Sequence, residues 1–113
     1  MKLPNVHLAS VPERKLTHDL LNPAHQAGGS KASFFLRFGF SVTESRRLAE
    51  ALIAHATENE ISDSEETSHG TRFAVDGPLV APTGVVLNVR TAWYIDHPGA
   101  APRFVTAHPL PKK

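Results

Sequence analysis

Two groups of residues in this chain have types and spacings that can do chemistry. The first is the run His25-Gln26-Ala27-Gly28-Gly29-Ser30-Lys31, a histidine six residues ahead of a lysine, across two glycines at the start of an expected helix. Free backbone N–H groups and the helix dipole both favour negative charge at such a corner. An imidazole there can act as general acid or base, and an ammonium can stabilise a pentacoordinate phosphorane. A capped loop with a surface lysine has the same spacing. The run is not a P-loop, because the glycine-to-lysine spacing differs and no strand precedes it.

The second group lies along Val85–Ile95, where apolar residues alternate in strand fashion. Val85, Leu87, Val89, Thr91, Trp93 and Ile95 form one face, and Val86, Asn88, Arg90, Ala92 and Tyr94 form the other. Neighbouring strands add Arg72, Thr106 and His108 to that second face. Arginine offers phosphate a planar fork of donors, tyrosine stacks on a base, and histidine moves a proton near neutral pH. A phosphodiester suits this set. So does plain solvent, since antiparallel sheets often wet one face.

The remaining histidines carry less. His55 falls near the apolar stripe of a helix and is expected to be packed. His7, His18, His69 and His97 show no metal-ligand spacing, so neither a metal nor a cofactor is expected. There is no nucleophile elbow, no dinucleotide fingerprint and no carboxylate pair placed for glycoside chemistry.

The elements that must position these groups fall in two blocks. A helix is expected over Pro12–Leu21, stopped at Asn22-Pro23. A second runs from Ser30, as cap, through Phe38 to Gly39. A third, opened by the capping box Ser41/Glu44, runs to about Thr57 and buries Leu48 and Leu52. After Glu60 the pattern becomes strand-like: Ile61–Thr67 as an edge strand, Thr71–Asp76, Val85–Ile95 and Arg103–His108. Turns or breaks are expected at His69-Gly70, Gly77-Pro78, Pro82-Thr83-Gly84 and His97–Pro102. Residues 1–10 look extended. The expected fold is α+β: about three N-terminal helices packed on a C-terminal antiparallel sheet of about four strands, forming one domain over residues 1–113.

Composition agrees with a globular chain. Of 113 residues, 41% are hydrophobic and 20% charged, which disfavours disordered and fibrous classes. The formal charge of +1 argues against bulk coating of nucleic acid, and nothing signals DNA specifically. With no cysteine, disulfide and thiol chemistry drop out. No apolar run is long enough for a membrane span and no secretory signal is seen, so a cytoplasmic protein is the expectation. An acidic stretch, Glu58, Glu60, Asp63, Glu65 and Glu66, contrasts with Arg72, Arg90 and Arg103 further on.

Several segments carry a family resemblance. They are Met1-Lys2-Leu3-Pro4-Asn5, Leu20–His25, Gly29–Phe35 with Gly39-Phe40, Glu66-Thr67, Gly70–Phe73, Val89–Asp96 and Pro102–Pro109. With these the chain resembles a small, largely uncharacterised bacterial family of about this length, a domain of unknown function. More loosely it is similar to bacterial toxin nucleases of the barnase–EndoU–colicin–RelE-like fold. That second resemblance implies metal-independent cleavage of RNA by the ribose 2′-hydroxyl, without cofactor, and a cognate antitoxin or immunity protein. Carried over, it makes His25 the acid/base group, gives Lys31 and Arg90 the phosphate, and has Thr106 hydrogen-bond the scissile group. The acidic stretch supports an alternative, a non-enzymatic protein-binding module of a toxin–antitoxin or immunity pair.

Overall fold

A computed structural model describes residues 1–12, 14, 35–41 and 45–110. The described elements are a 3₁₀ turn (Val6–Leu8), helix α1 (Ser45–Glu58) and strands β1 (Ile61–Thr67), β2 (Gly70–Val80), β3 (Val86–Ile95) and β4 (Arg103–Pro109). The α+β class and the four-stranded antiparallel sheet stand as expected. The expectation of three N-terminal helices is corrected: the described residues hold one substantial helix, α1, and a 3₁₀ turn. The helix expected over Pro12–Leu21 and most of that expected up to Phe38 lie outside the described residues. Of the latter, residues 35–37 are helical and Gly39, at φ 99°, closes the end. There Phe40 N–H donates to Phe35 O and Gly39 N–H to Leu36 O, each at 3.2 Å, so orphan carbonyls are satisfied.

α1 follows from its periodicity. Leu48, Leu52, His55 and Ala56 are buried on one stripe, while Arg46, Arg47 and Glu50 are exposed opposite. Asn59 ends it. Its backbone N–H and its Nδ2 both donate to His55 O, at 3.1 and 2.9 Å, and Nδ2 also reaches Pro78 O at 3.3 Å. The helix end is thereby tied to β2.

The strands pair in sequence order, β1-β2-β3-β4, all antiparallel. Leu87, Val89, Thr91, Trp93 and Ile95 face the core together with Phe73, Val75, Leu79, Phe104 and Ala107. Trp93 is fully buried and meets Phe104 edge to face, with centroids 5.4 Å apart. Truncating such a residue costs about 3–5 kcal/mol.

Two local features differ from expectation. β2 does not break at Gly77-Pro78. β1 pairs with β2 only as far as Val75, so beyond it that side of β2 has no strand neighbour among the described residues. Pro78 turns its carbonyl to this open side, toward Asn59. The missing N–H lies on the same side and removes no ladder bond. Residues 1–10, expected extended, contain the 3₁₀ turn, entered through Asn5 at φ 56°. They strap the molecule: Ile61 N–H donates to Met1 O (2.7 Å), Asn5 Nδ2 to Ala100 O (3.2 Å) and Ser10 N–H to Pro102 O (3.1 Å). Leu3 is buried beneath.

Candidate functional site

The face of the sheet turned away from α1 is ordered in cross-strand rows, because directly paired residues of adjacent strands point the same way. One row reads Asp76–Arg90–His108, the next Asp63–Ala74–Ala92–Thr106, and the third Glu65–Arg72–Tyr94–Arg103. A bulge in β4 makes this possible. Trp93 pairs with Phe104 but Ala92 with Thr106, so Val105 is an extra residue. Arg103 therefore shares the open face with Thr106 and His108, while Phe104 and Ala107 stay in the core. The structure thus brings together five of the sequence-predicted residues: Arg72, Arg90, Tyr94, Thr106 and His108. His25 and Lys31 lie outside the described residues.

The middle row is low. Ala74 and Ala92 form the floor of a concavity of about 210 Å³, rimmed by Asp63, Glu65, Arg72, Arg90 and His108. The rim carries both signs, with carboxylates on the β1 side and cations on β2 and β3. A second cavity, about 540 Å³, opens at the far end of the sheet, where Phe73 and Ile95 meet Asn5, Thr71 and Pro98.

Arg90 is engaged. Its Nε and Nη2 donate to Asp76 Oδ1 and Oδ2 at 2.6 and 2.8 Å, a bidentate pair. Hydrogen bonding to Arg90 is the main cause holding the Asp76 carboxyl below its ordinary value, and Asp76 raises the guanidinium in turn. Asp63 adds a smaller pull on Arg90. Among the described residues, three of the guanidinium's five N–H groups remain for other acceptors. Arg72 differs: it is exposed and has no hydrogen bond or ion pair among the described residues.

Tyr94 is also held. Its hydroxyl lies 2.7 Å from Thr67 Oγ1, and the Arg103 guanidinium sits 5.5 Å above its ring. Arg103 in turn bonds Asp96 through Nη2 at 2.7 Å. The ring face that a base needs for stacking is shared with this cation.

On the other side of the sheet, His55 is 1% exposed, packed as expected. Its Nε2 faces two carbonyls, Val89 O at 2.9 Å and Gly77 O at 3.1 Å, so this nitrogen carries the proton. Its Nδ1 then accepts from Thr91 Oγ1 at 3.1 Å, and Thr91 accepts from Trp93 Nε1 at 2.9 Å. Desolvation pushes the imidazole below its ordinary value, with Val89 and Gly77 opposing. The network joins helix to sheet and does not reach the open face.

The profile of a domain of unknown function, DUF6883, matches residues 2–111. The chain belongs to this family. No curated protein matches it. Among solved structures, this DUF6883 domain is similar to a chain of the contact-dependent growth inhibition toxin–immunity protein complex from Klebsiella pneumoniae 342. The two share 16% identity at a TM-score of 0.69, over 88% of this chain and 98% of that one. At this identity the likeness is one of fold.

Sequence reasoning missed three residues of the DUF6883 site: Asp63, Glu65 and Asp76. A hairpin centred on Thr83 pairs positions 76 and 90, so Asp76 was within reach of register arithmetic. In one dimension Asp63 and Glu65 are only members of an acidic stretch, and the β1–β2 register is what sets them on the rim. Among the described residues no group of three or more His, Asp or Glu is placed to hold a metal ion, and no helix is long and apolar enough to cross a membrane.

Proposed function

We propose that this domain is a toxin-like, metal-independent endoribonuclease. The observation that carries the reading is the open-face concavity, floored by Ala74 and Ala92 and bordered by Arg72, Arg90 and His108. The fold likeness to a chain of a toxin–immunity complex supports it. In this reading the ribose 2′-oxygen bonds to phosphorus while the bond to the 5′-oxygen breaks. A general base takes the 2′-hydroxyl proton and a general acid returns one to the leaving oxygen. The products are a 2′,3′-cyclic phosphate and a 5′-hydroxyl. Arg72 and Arg90 hold the phosphate, Thr106 hydrogen-bonds the scissile group, and Tyr94 and His108 line the strand's path. His25 takes the acid/base role and Lys31 stabilises the phosphorane.

The test is incubation of purified protein with RNA in excess chelator, followed by mass analysis of the new ends. Cyclic phosphate termini that vanish in His25→Ala and Lys31→Ala are expected. Intact RNA, or 3′-hydroxyl and 5′-phosphate ends, overturns the reading.

A second reading is favoured by one feature: β1 is an edge strand, exposed from Ser62 to Thr67, and carries Asp63, Glu65 and Glu66. Such a strand suits a non-enzymatic protein-binding module, the partner of a toxin or immunity protein. A stable complex with a co-encoded protein, combined with no effect on RNA, selects it.

A further inference from the structure

We infer that Asp63 reads the base of a single-stranded nucleotide seated in the open-face concavity, selecting bases with an exocyclic amino group over uracil. The inference deepens the ribonuclease reading and rests on its assignment of nucleotides to this face. It starts from the row Asp63–Ala74–Ala92–Thr106, which crosses all four strands. Three interstrand spacings make it about 14 Å long, comparable to a nucleotide measured from base edge to phosphate. The two alanines leave room along its middle, and the hollow of about 210 Å³ above them takes a base with part of its sugar and not a duplex, the phosphate reaching its rim.

Charge fixes the direction. The cations of the concavity, Arg72 and Arg90, stand on β2 and β3, and His108 stands on β4. Asp63 and Glu65 stand on β1. A phosphate is repelled from the β1 wall and drawn to the other, so the base end of the nucleotide lies toward β1. Asp63 is built to receive it. Ser64 N–H donates to its Oδ1 at 2.9 Å, which orients the carboxylate, and its charge is felt at Arg90 across the concavity. A carboxylate only accepts hydrogen bonds, and an exocyclic amine of cytosine, adenine or guanine donates one. Uracil turns a carbonyl oxygen to the same place, leaving two acceptors opposed.

The test is titration of the full chain with cytidine and uridine 3′-monophosphates, followed by backbone amide shifts, beside Asp63→Asn. Cytidine is expected to bind about five-fold or more tightly than uridine, the worth of one good hydrogen bond. Asp63→Asn, whose amide both donates and accepts, should bring the ratio near one while leaving the melting temperature unchanged. Equal affinities, a ratio indifferent to Asp63→Asn, or no binding of either nucleotide overturns the inference. Discriminating binding without cleavage of any RNA overturns the ribonuclease reading and leaves base selection standing.

Discussion

Asp76 and Arg90 face each other across the β2–β3 hairpin and close two hydrogen bonds, at 2.6 and 2.8 Å. Arg90 borders the concavity, and its charge is spent partly on Asp76. Both side chains are about a third exposed, 38% and 29%, which leaves the pair worth less than about 1 kcal/mol to the fold. Asp76→Asn should therefore barely move the melting temperature. It should strengthen binding of a phosphate-bearing ligand and steepen its salt dependence, because the guanidinium loses its carboxylate. Weaker binding in that variant would mean that Arg90 needs Asp76 to hold its position.

Arg72 has no ion pair or hydrogen bond among the described residues, so its removal should leave the fold alone. Arg72→Ala is expected to lower RNA binding about ten-fold and reduce the slope of log affinity against log salt by about one. Its unfolding free energy should stay within about 0.5 kcal/mol of wild type. Unchanged RNA affinity would remove Arg72 from the site.

His55 makes stability depend on pH. Its folded value lies below the ordinary 6.5, so below that pH the unfolded chain binds the extra proton. The contribution of the neutral imidazole is complete above about 6.5 and drains away as pH falls toward the lowered value. Urea unfolding followed through Trp93 should show stability falling between neutrality and pH 5. His55→Gln, which cannot titrate, should flatten that slope at a cost of about 2–4 kcal/mol at pH 7.5. An equal slope in the two proteins would refute the assignment.

Gly70 sits at φ 144° where β2 begins, and a Cβ there would run into Ile95 O and the Tyr94 ring. Gly70→Ala should cost about 2 kcal/mol or more, visible as a lower urea midpoint, because backbone strain and a steric clash add. Gly99, also at positive φ but with nothing near its Cβ position, should tolerate alanine better.

Much of the sheet was legible in the sequence because one face of β3 is core and its period is two. Leu87, Trp93 and Phe73 announce the buried side, and Arg90 and Tyr94 the open side, by alternation alone. Thr106 and His108 landed on the open face for a reason the alternation does not contain. Arg103 and Thr106 differ by three positions, and only the extra residue Val105 lets them point the same way. Pro78 misled because proline reads as a strand break unless one knows that β1 stops short of it. The electrostatics were the least legible part. That Arg90 is bound by Asp76, and that Asp63 and Glu65 border the same hollow, depends on hairpin register, which one-dimensional charge patterns do not show. The helical half met a different limit, since the His25–Lys31 corner and the segment around it lie outside the described residues.

The order β1-β2-β3-β4 has a kinetic consequence. Each strand zips to the one before it across a short connection, so the sheet can assemble hairpin after hairpin with little loop-closure entropy. The N-terminal strap is the opposite case: Ser10 must find Pro102 and Phe104 from far along the chain. Loop-closure entropy therefore predicts that it closes last, on a scaffold already standing. Ser10→Pro, which deletes the N–H donated to Pro102, should accordingly hasten unfolding while leaving the refolding rate where it was.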